Sequence, residues 1–159
     1  MAIKYPYLPE GREIKYVPAD NVFMKEAERT CRALSTDHSF PTGAVIVKNG
    51  QIVARSGNKS KISNPKLIKM HKDGMCVRRI LKVPTGQKYW LCPGCASPKD
   101  HSEQRAVSEA QRKNIDISGA DLFLYGHWWC CKPCWDKMIA AGVKDVYLME
   151  GSDQLFNKR

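Results

Sequence analysis

The sequence predicts an α/β fold, a three-layer α/β/α sandwich around a mixed sheet, and three observations predict it. Two short apolar, β-branched runs at 44–48 and 51–55 are separated by Asn49-Gly50, the strongest short hairpin signal. Beyond residue 100, helical and strand periodicities alternate, which implies helices laid against a sheet rather than an all-β or all-α core. The chain has 159 residues with no internal repeat and no low-complexity tract, which suits a single domain, 1–159, with one substantial core.

Each element has its own local justification. Residues 1–12 mix tyrosines, prolines and charges without an apolar run, so no signal peptide is expected; no segment is long enough to span a bilayer, and the expected location is cytoplasmic. Asp20 is the expected N-cap of a helix over about 21–35, on which Phe23, Ala27, Cys31 and Leu34 share one stripe and place Cys31 in the core. The hairpin follows. Residues 59–100 break the pattern with scattered Pro, Gly and Lys, and helical spacing returns with Glu103, Ala106, Val107 and Ala110, leaving His101 at that helix's first turn. A strand at about 121–125, a helix at about 132–141 and a strand at 144–149 complete the alternation. Phe123 and Tyr125 alternate on their strand and are expected in the core. Residues 150–159 receive no assignment.

Two motifs carry chemistry. His101-Ser102-Glu103 is followed about thirty residues later by Cys131-Lys132-Pro133-Cys134. Zinc takes imidazole and thiolate in tetrahedral geometry, and a catalytic site supplies three protein ligands while leaving the fourth position to water. His101, Cys131 and Cys134 would fill the three places. Glu103, two residues beyond the histidine, is then a carboxylate able to shuttle the proton of an acidified water without coordinating the metal. Alone, an H-x-E triplet usually marks a solvated helix start, and a lone C-x-x-C serves equally as a structural knuckle or a redox pair. It is their order and spacing that count.

This H-x-E and C-x-x-C pattern resembles the cytidine and deoxycytidylate deaminase superfamily, and the resemblance covers roughly 40–60 and 101–150. Pro41-Thr42-Gly43-Ala44-Val45-Ile46-Val47 resembles that family's first core strand, and Ser56-Gly57-Asn58 the place of its sugar-binding asparagine. Leu122-Phe123-Leu124-Tyr125 resembles the strand that delivers the cysteines, and residues 138–147 the helix, glycine stop and strand that follow. The resemblance implies a cytidine deaminase-like fold, a catalytic zinc and substrate contacts at Asn58, Thr42 and Ala44. It also implies attack of an activated water on C4 of cytosine, with Glu103 carrying protons to N3 and to the departing ammonia. One position departs from the family: Cys130 stands where proline usually precedes the first cysteine. That leaves Cys130 and Cys131 as alternative ligands, and C-x-x-C spacing favours Cys131.

Between Asn58 and His101 the simplest deaminases have a short connection, whereas this chain inserts about forty residues, 59–100, containing His71, Cys76, Cys92 and Cys95. Long structureless loops are unusual in compact domains, and a Cys3His structural zinc would staple this one. Some deoxycytidylate deaminases are similar in carrying an extra structural zinc in this region. The other readings are a redox C-x-x-C or unrelated buried thiols. Seven cysteines without a secretory signal are better explained as metal ligands and buried thiols than as a disulfide framework. Charge concentrates here too. Residues 58–100 hold ten Lys and Arg against two acidic residues, most of the formal +10 of the chain, which either attracts phosphate or is simply a solvated loop. Trp128, Trp129, Tyr89 and Trp90 could stack a base or pack, and His127 is a substrate contact by position only.

The expected function is therefore a zinc-dependent hydrolytic deaminase of a cytosine nucleotide, with dCMP leading. The rivals are a tRNA adenosine or nucleic-acid cytosine deaminase and, from another class, a nucleic-acid-binding protein with structural zinc sites. Expected partners are a small nucleotide, with nucleic acid as the alternative, no membrane, and further copies of the chain in a homo-oligomer.

Overall fold

Regular structure begins at Ile14–Val17 (β1) in the computed structural model, which describes residues 3, 6–84 and 87–157. This strand is absent from the sequence reading. It is four residues long with a lysine inside it, and what makes it a strand is its parallel pairing to Asp145–Met149 (β5) at the other end of the chain.

Val22–Leu34 (α1) starts one residue later than expected. Asn21, not Asp20, is the cap: its Oδ1 accepts from the main-chain N–H of Phe23 at 3.0 Å and of Met24 at 3.1 Å. The buried stripe is Met24, Ala27, Thr30 and Cys31, so Cys31 is core as expected, but Leu34 is 48 % exposed at the last helical residue, where the chain turns away.

Gly43–Lys48 (β2) and Gln51–Gly57 (β3) form the predicted hairpin, and Asn49 and Gly50 both take positive φ (52° and 75°), the geometry a two-residue turn requires. Asp121–Tyr125 (β4) and β5 complete a sheet of order β1-β5-β4-β2-β3. Pairing is parallel at β1/β5 and β5/β4 and antiparallel at β4/β2 and β2/β3, so the sheet is mixed.

Both faces of the sheet are covered, and β2 shows it residue by residue. Ala44 and Ile46 join Leu122, Leu124, Val146 and Leu148 beneath Ser102–Arg112 (α4) and Lys132–Ala140 (α5), which contribute Ala106, Val107, Trp135 and Met138. Val45 and Val47 join Phe123, Met24 and Ala27 beneath α1 on the opposite side. The result is the three-layer sandwich. Gly43 lets α1 lie directly on the sheet, since a Cβ there would sit 2.3 Å from the Ala27 carbonyl oxygen and 2.4 Å from the Cys31 nitrogen.

The insertion is more ordered than its composition suggests. It holds Pro65–Lys72 (α2), Val77–Ile80 (α3) and single 3-10 turns at Tyr89–Leu91 and Pro98–Asp100. Asn64 caps α2 by accepting from Lys66 N at 3.0 Å, with Pro65 in the first turn. The unassigned C-terminal segment contains Ser152–Phe156 (α6), whose Phe156 ring meets Tyr125 edge-on at 5.3 Å.

Candidate active site

Two helix N-termini converge to build the site. His101 has extended backbone (φ −68°, ψ 147°) and stands at the N-cap of α4, one position ahead of the first turn in which it was expected; Cys131 stands at the N-cap of α5, with Cys134 one turn later. The Sγ atoms of Cys131 and Cys134 are 3.3 Å apart, and each is 3.5 Å from His101 Nδ1. Ligand atoms bound tetrahedrally to one zinc at its usual bond lengths lie roughly 3.5–3.8 Å from one another; the two N–S separations meet this and the S–S separation is shorter, so the triangle takes the ion with a small widening between the sulfurs. Cys130 is outside the set, which among the described residues contains three ligands.

The electrostatics suit deprotonated sulfur. Cys131 is brought down to about 5, first by its hydrogen bond with Cys134 and then by His101, against the opposing effect of burial. Burial, and then the hydrogen bond with Cys131, push Cys134 well up. At His101 burial works downward, yet the hydrogen bond to Cys131 and the charge of Glu103 outweigh it and the net shift is upward. Glu103 is buried in the first turn of α4; desolvation raises its carboxyl, partly countered by His101, and Ser102 Oγ donates to its Oε2 at 3.2 Å. Cys130 is fully buried, and desolvation followed by the charge of Glu103 pushes its thiol well up, keeping it neutral.

A cleft opens over this centre, lined by His101, Glu103 and Cys131 on one side. Of the expected substrate contacts, Thr42 and Asn58 line it, whereas Ala44 is fully buried in the core under α4 and outside the lining, because β2 is covered on both faces. Asn58 is already engaged. Its Oδ1 accepts from Ser35 Oγ at 2.6 Å and Thr42 N at 2.9 Å, and its Nδ2 donates to Phe40 O at 2.8 Å and, at 3.5 Å, to Asp37 Oδ2. Any sugar contact at Asn58 therefore requires exchange of one of these partners. Of the aromatic candidates, Trp129 and Tyr89 line the cleft, Trp128 packs against the core and Trp90 is 77 % exposed. His127 also lines it; its Nδ1 accepts from Trp128 N at 3.0 Å and Trp129 N at 3.2 Å, so the neutral ring carries its hydrogen on Nε2.

Two charged lining residues have no counterpart in the sequence reading. Asp37 is a buried carboxylate whose Oδ1 accepts from Ser39 N and Phe40 N at 3.0 Å, and Ser35-Thr36-Asp37 was its turn signal. Arg78 is buried and comes from the insertion. No local pattern distinguishes it from the other lysines and arginines there.

The insertion also gathers the second ligand set. Ligand atoms of His71, Cys76, Cys92 and Cys95 all lie within 4.8 Å of one another, with Cys76 Sγ 3.5 Å and His71 Nε2 3.6 Å from Cys95 Sγ. His71 Nδ1 is 3.0 Å from Ser39 Oγ, and Gly94 packs on the imidazole so closely that a Cβ would be 2.3 Å from the ring. Three thiols and one imidazole at these separations fit a closed zinc site. His71 and Cys95 line the same cleft as His101.

Among curated proteins nothing matches this chain. Among solved structures it is similar to the dCMP deaminase of cyanophage S-TIM5, both in apo form (24% identity, TM-score 0.51, covering 86% of this chain and 87% of that one) and in complex with dCMP and dUMP (26%, 0.52, 84% and 84%). It is also similar to a diaminohydroxyphosphoribosylaminopyrimidine deaminase/5-amino-6-(5-phosphoribosylamino)uracil reductase from Thermotoga maritima, at 23% identity and TM-score 0.47, covering 79% of this chain; it spans only 28% of that protein. The family model of the cytidine and deoxycytidylate deaminase zinc-binding region matches residues 18–150, from α1 through β5 and including both converging helix N-termini, and the chain belongs to that family.

Proposed function

We propose that the protein is a zinc-dependent hydrolytic deaminase that converts a cytosine nucleotide, foremost dCMP, to the uracil nucleotide and ammonia. The observation that carries this reading is Glu103, a carboxylate buried in the first turn of α4, two residues from His101 and in the same cleft as His101 and Cys131. A structural zinc site closes with four protein ligands and has no use for that group, whereas the ligand set here stops at three among the described residues.

His101, Cys131 and Cys134 would hold the zinc, which would supply an acidified water. Glu103 takes one proton from the water and delivers it to N3 as the oxygen bonds to C4, then carries the second to the amino nitrogen as the C4–N bond breaks and ammonia leaves. Burial moves its carboxyl upward, toward a pKa at which one group both accepts and returns a proton. Ser102 Oγ, itself 2.8 Å from Thr42 Oγ1, holds the carboxylate in place. Trp129, Tyr89 and His127 line the cleft in which the base would lie.

A nucleotide rather than a nucleoside is supported by the excess of cations in the insertion and by the structure of the phage enzyme with dCMP and dUMP. The proposal extends to a structural zinc at His71, Cys76, Cys92 and Cys95. It extends also to a homo-oligomer, since Leu67, Met70, Met75, Ile80, Leu81 and Trp90 of the insertion are exposed and need a cover.

The test is ammonia release by zinc-loaded protein from dCMP, CMP, cytidine, deoxycytidine, dCTP, tRNA and single-stranded DNA. dCMP is expected to react with the highest kcat/KM. Release from tRNA alone would replace the substrate, and release from none of them would overturn the enzymatic reading.

A further inference from the structure

The two ligand sets are joined by five residues of chain, 96–100. Cys95 N donates to Cys92 O at 3.1 Å, closing the knuckle turn, and the segment then runs through the 3-10 turn Pro98–Asp100 into His101. That link is stiff. Asp100 N donates to Ser97 O at 2.8 Å, His101 N to Pro98 O at 3.2 Å, and Lys59 N to Asp100 O at 2.9 Å, tying it to the end of β3. Nδ1 of His101 is turned to the sulfurs of Cys131 and Cys134, so the stiff link from Cys95 ends on the residue that faces both thiols. A metal-binding histidine is held in orientation by the contacts around it, and weakening them weakens the metal site.

A separate path joins the sets through side chains. Arg78 is buried, directs Nη1 to Cys95 Sγ at 3.6 Å, and holds the intervening loop by donating to Gln87 O at 2.9 Å and Pro84 O at 3.2 Å. Its guanidinium lies 4.1 Å over the ring of Tyr89, and Tyr89 meets the His101 ring edge-on at 5.5 Å. No carboxylate among the described residues forms an ion pair with Arg78. Three thiolates and one neutral imidazole around a divalent ion carry a net single negative charge, which is the partner such a buried cation lacks.

We infer that the turn 92–95 positions His101 for zinc through the hydrogen-bonded link 96–100, with Arg78 and Tyr89 bracing the same imidazole, so that the second ligand set governs the affinity and geometry of the first. This rests on the proposal above that both sets hold zinc. His101 remains the ligand, and Cys92, Cys95 and Arg78 are positioning residues that act through it.

The test uses full-length protein, with zinc affinity measured by chelator competition and the His101 centre reported by cobalt(II) absorption. Wild-type protein is expected to hold two zinc ions. Cys92→Ser should hold one, with that remaining ion bound 10–100-fold more weakly than in the wild type and with shifted cobalt(II) bands. If far-ultraviolet dichroism shows Cys92→Ser to be unfolded, Arg78→Met keeps every ligand and should retain two zinc ions while weakening the His101 site severalfold. Unchanged affinity and unchanged bands at the His101 centre, in whichever folded variant is measured, overturn the inference. A wild type that takes one zinc at the His101 set, with normal deamination, overturns it too but leaves the deaminase proposal standing; absence of metal from the His101 set sinks both.

Discussion

Nδ1 of His101 lies 3.5 Å from Sγ of Cys131, and each residue is the N-cap of its own helix. Neither uses its side chain to cap that helix, so both side chains are directed at each other rather than at their own main chain. The partial positive charge of two helix N-termini then favours the thiolate a metal needs. Four consequences can be measured.

Glu103→Gln keeps the shape of the buried side chain and the Ser102 contact but removes the proton acceptor. Zinc content should stay that of the wild type, while kcat falls roughly 10²–10⁴-fold, the usual span of general acid–base catalysis. Near-normal turnover in this variant would mean that another group moves the proton.

Cys130→Ala tests whether the residue in place of the family's proline is a ligand. The structure leaves it a fully buried, neutral thiol outside the ligand set, so zinc stoichiometry by plasma mass spectrometry should not change. Removing one sulfur from a packed core should cost about 1–2 kcal/mol of stability in denaturant unfolding. Loss of an ion would make Cys130 the ligand.

Gly94→Ala should drive the His71 imidazole out of its place, because the new Cβ would overlap Cδ2, Cγ and Nε2 of the ring at 2.3–2.7 Å. One zinc per chain should be lost, with the His101 set still able to fill. Gly43→Ala, where the collision is with the backbone of α1, should instead leave metal content unchanged and destabilise the fold by about 1–3 kcal/mol.

Burial raises the Cys31 thiol to about 11. The fold therefore favours its neutral form, and this contribution to stability is complete below the ordinary thiol pKa near 9 and is lost as pH rises from there toward 11, where the unfolded chain ionises first. Unfolding free energies of wild type and Cys31→Ala should run parallel up to about pH 8 and converge above pH 9. Parallel curves through pH 11 would show that Cys31 does not retain its proton in the fold.

The amino-acid sequence determined those parts of the molecule that rest on spacing along the chain. The hairpin needs only Asn49-Gly50 between two β-branched runs; His101 with Glu103, and Cys131 with Cys134, need only the pitch of a helix start to come within reach of one ion. The sandwich followed from alternating periodicities. What the tertiary structure decided are relationships between residues far apart: β1 exists because β5 offers it a parallel edge, Asn21 rather than Asp20 caps α1, and Ala44 is core because α4 covers it. Asn58 is spent on the 35–42 loop, Asp37 and Arg78 enter the cleft, and Tyr89 meets the His101 ring. The reason is physical. Backbone periodicity and turn preference act over a few residues and leave a mark in composition, whereas the pairing of a strand edge, a carbonyl or a buried guanidinium depends on what the rest of the chain brings to it.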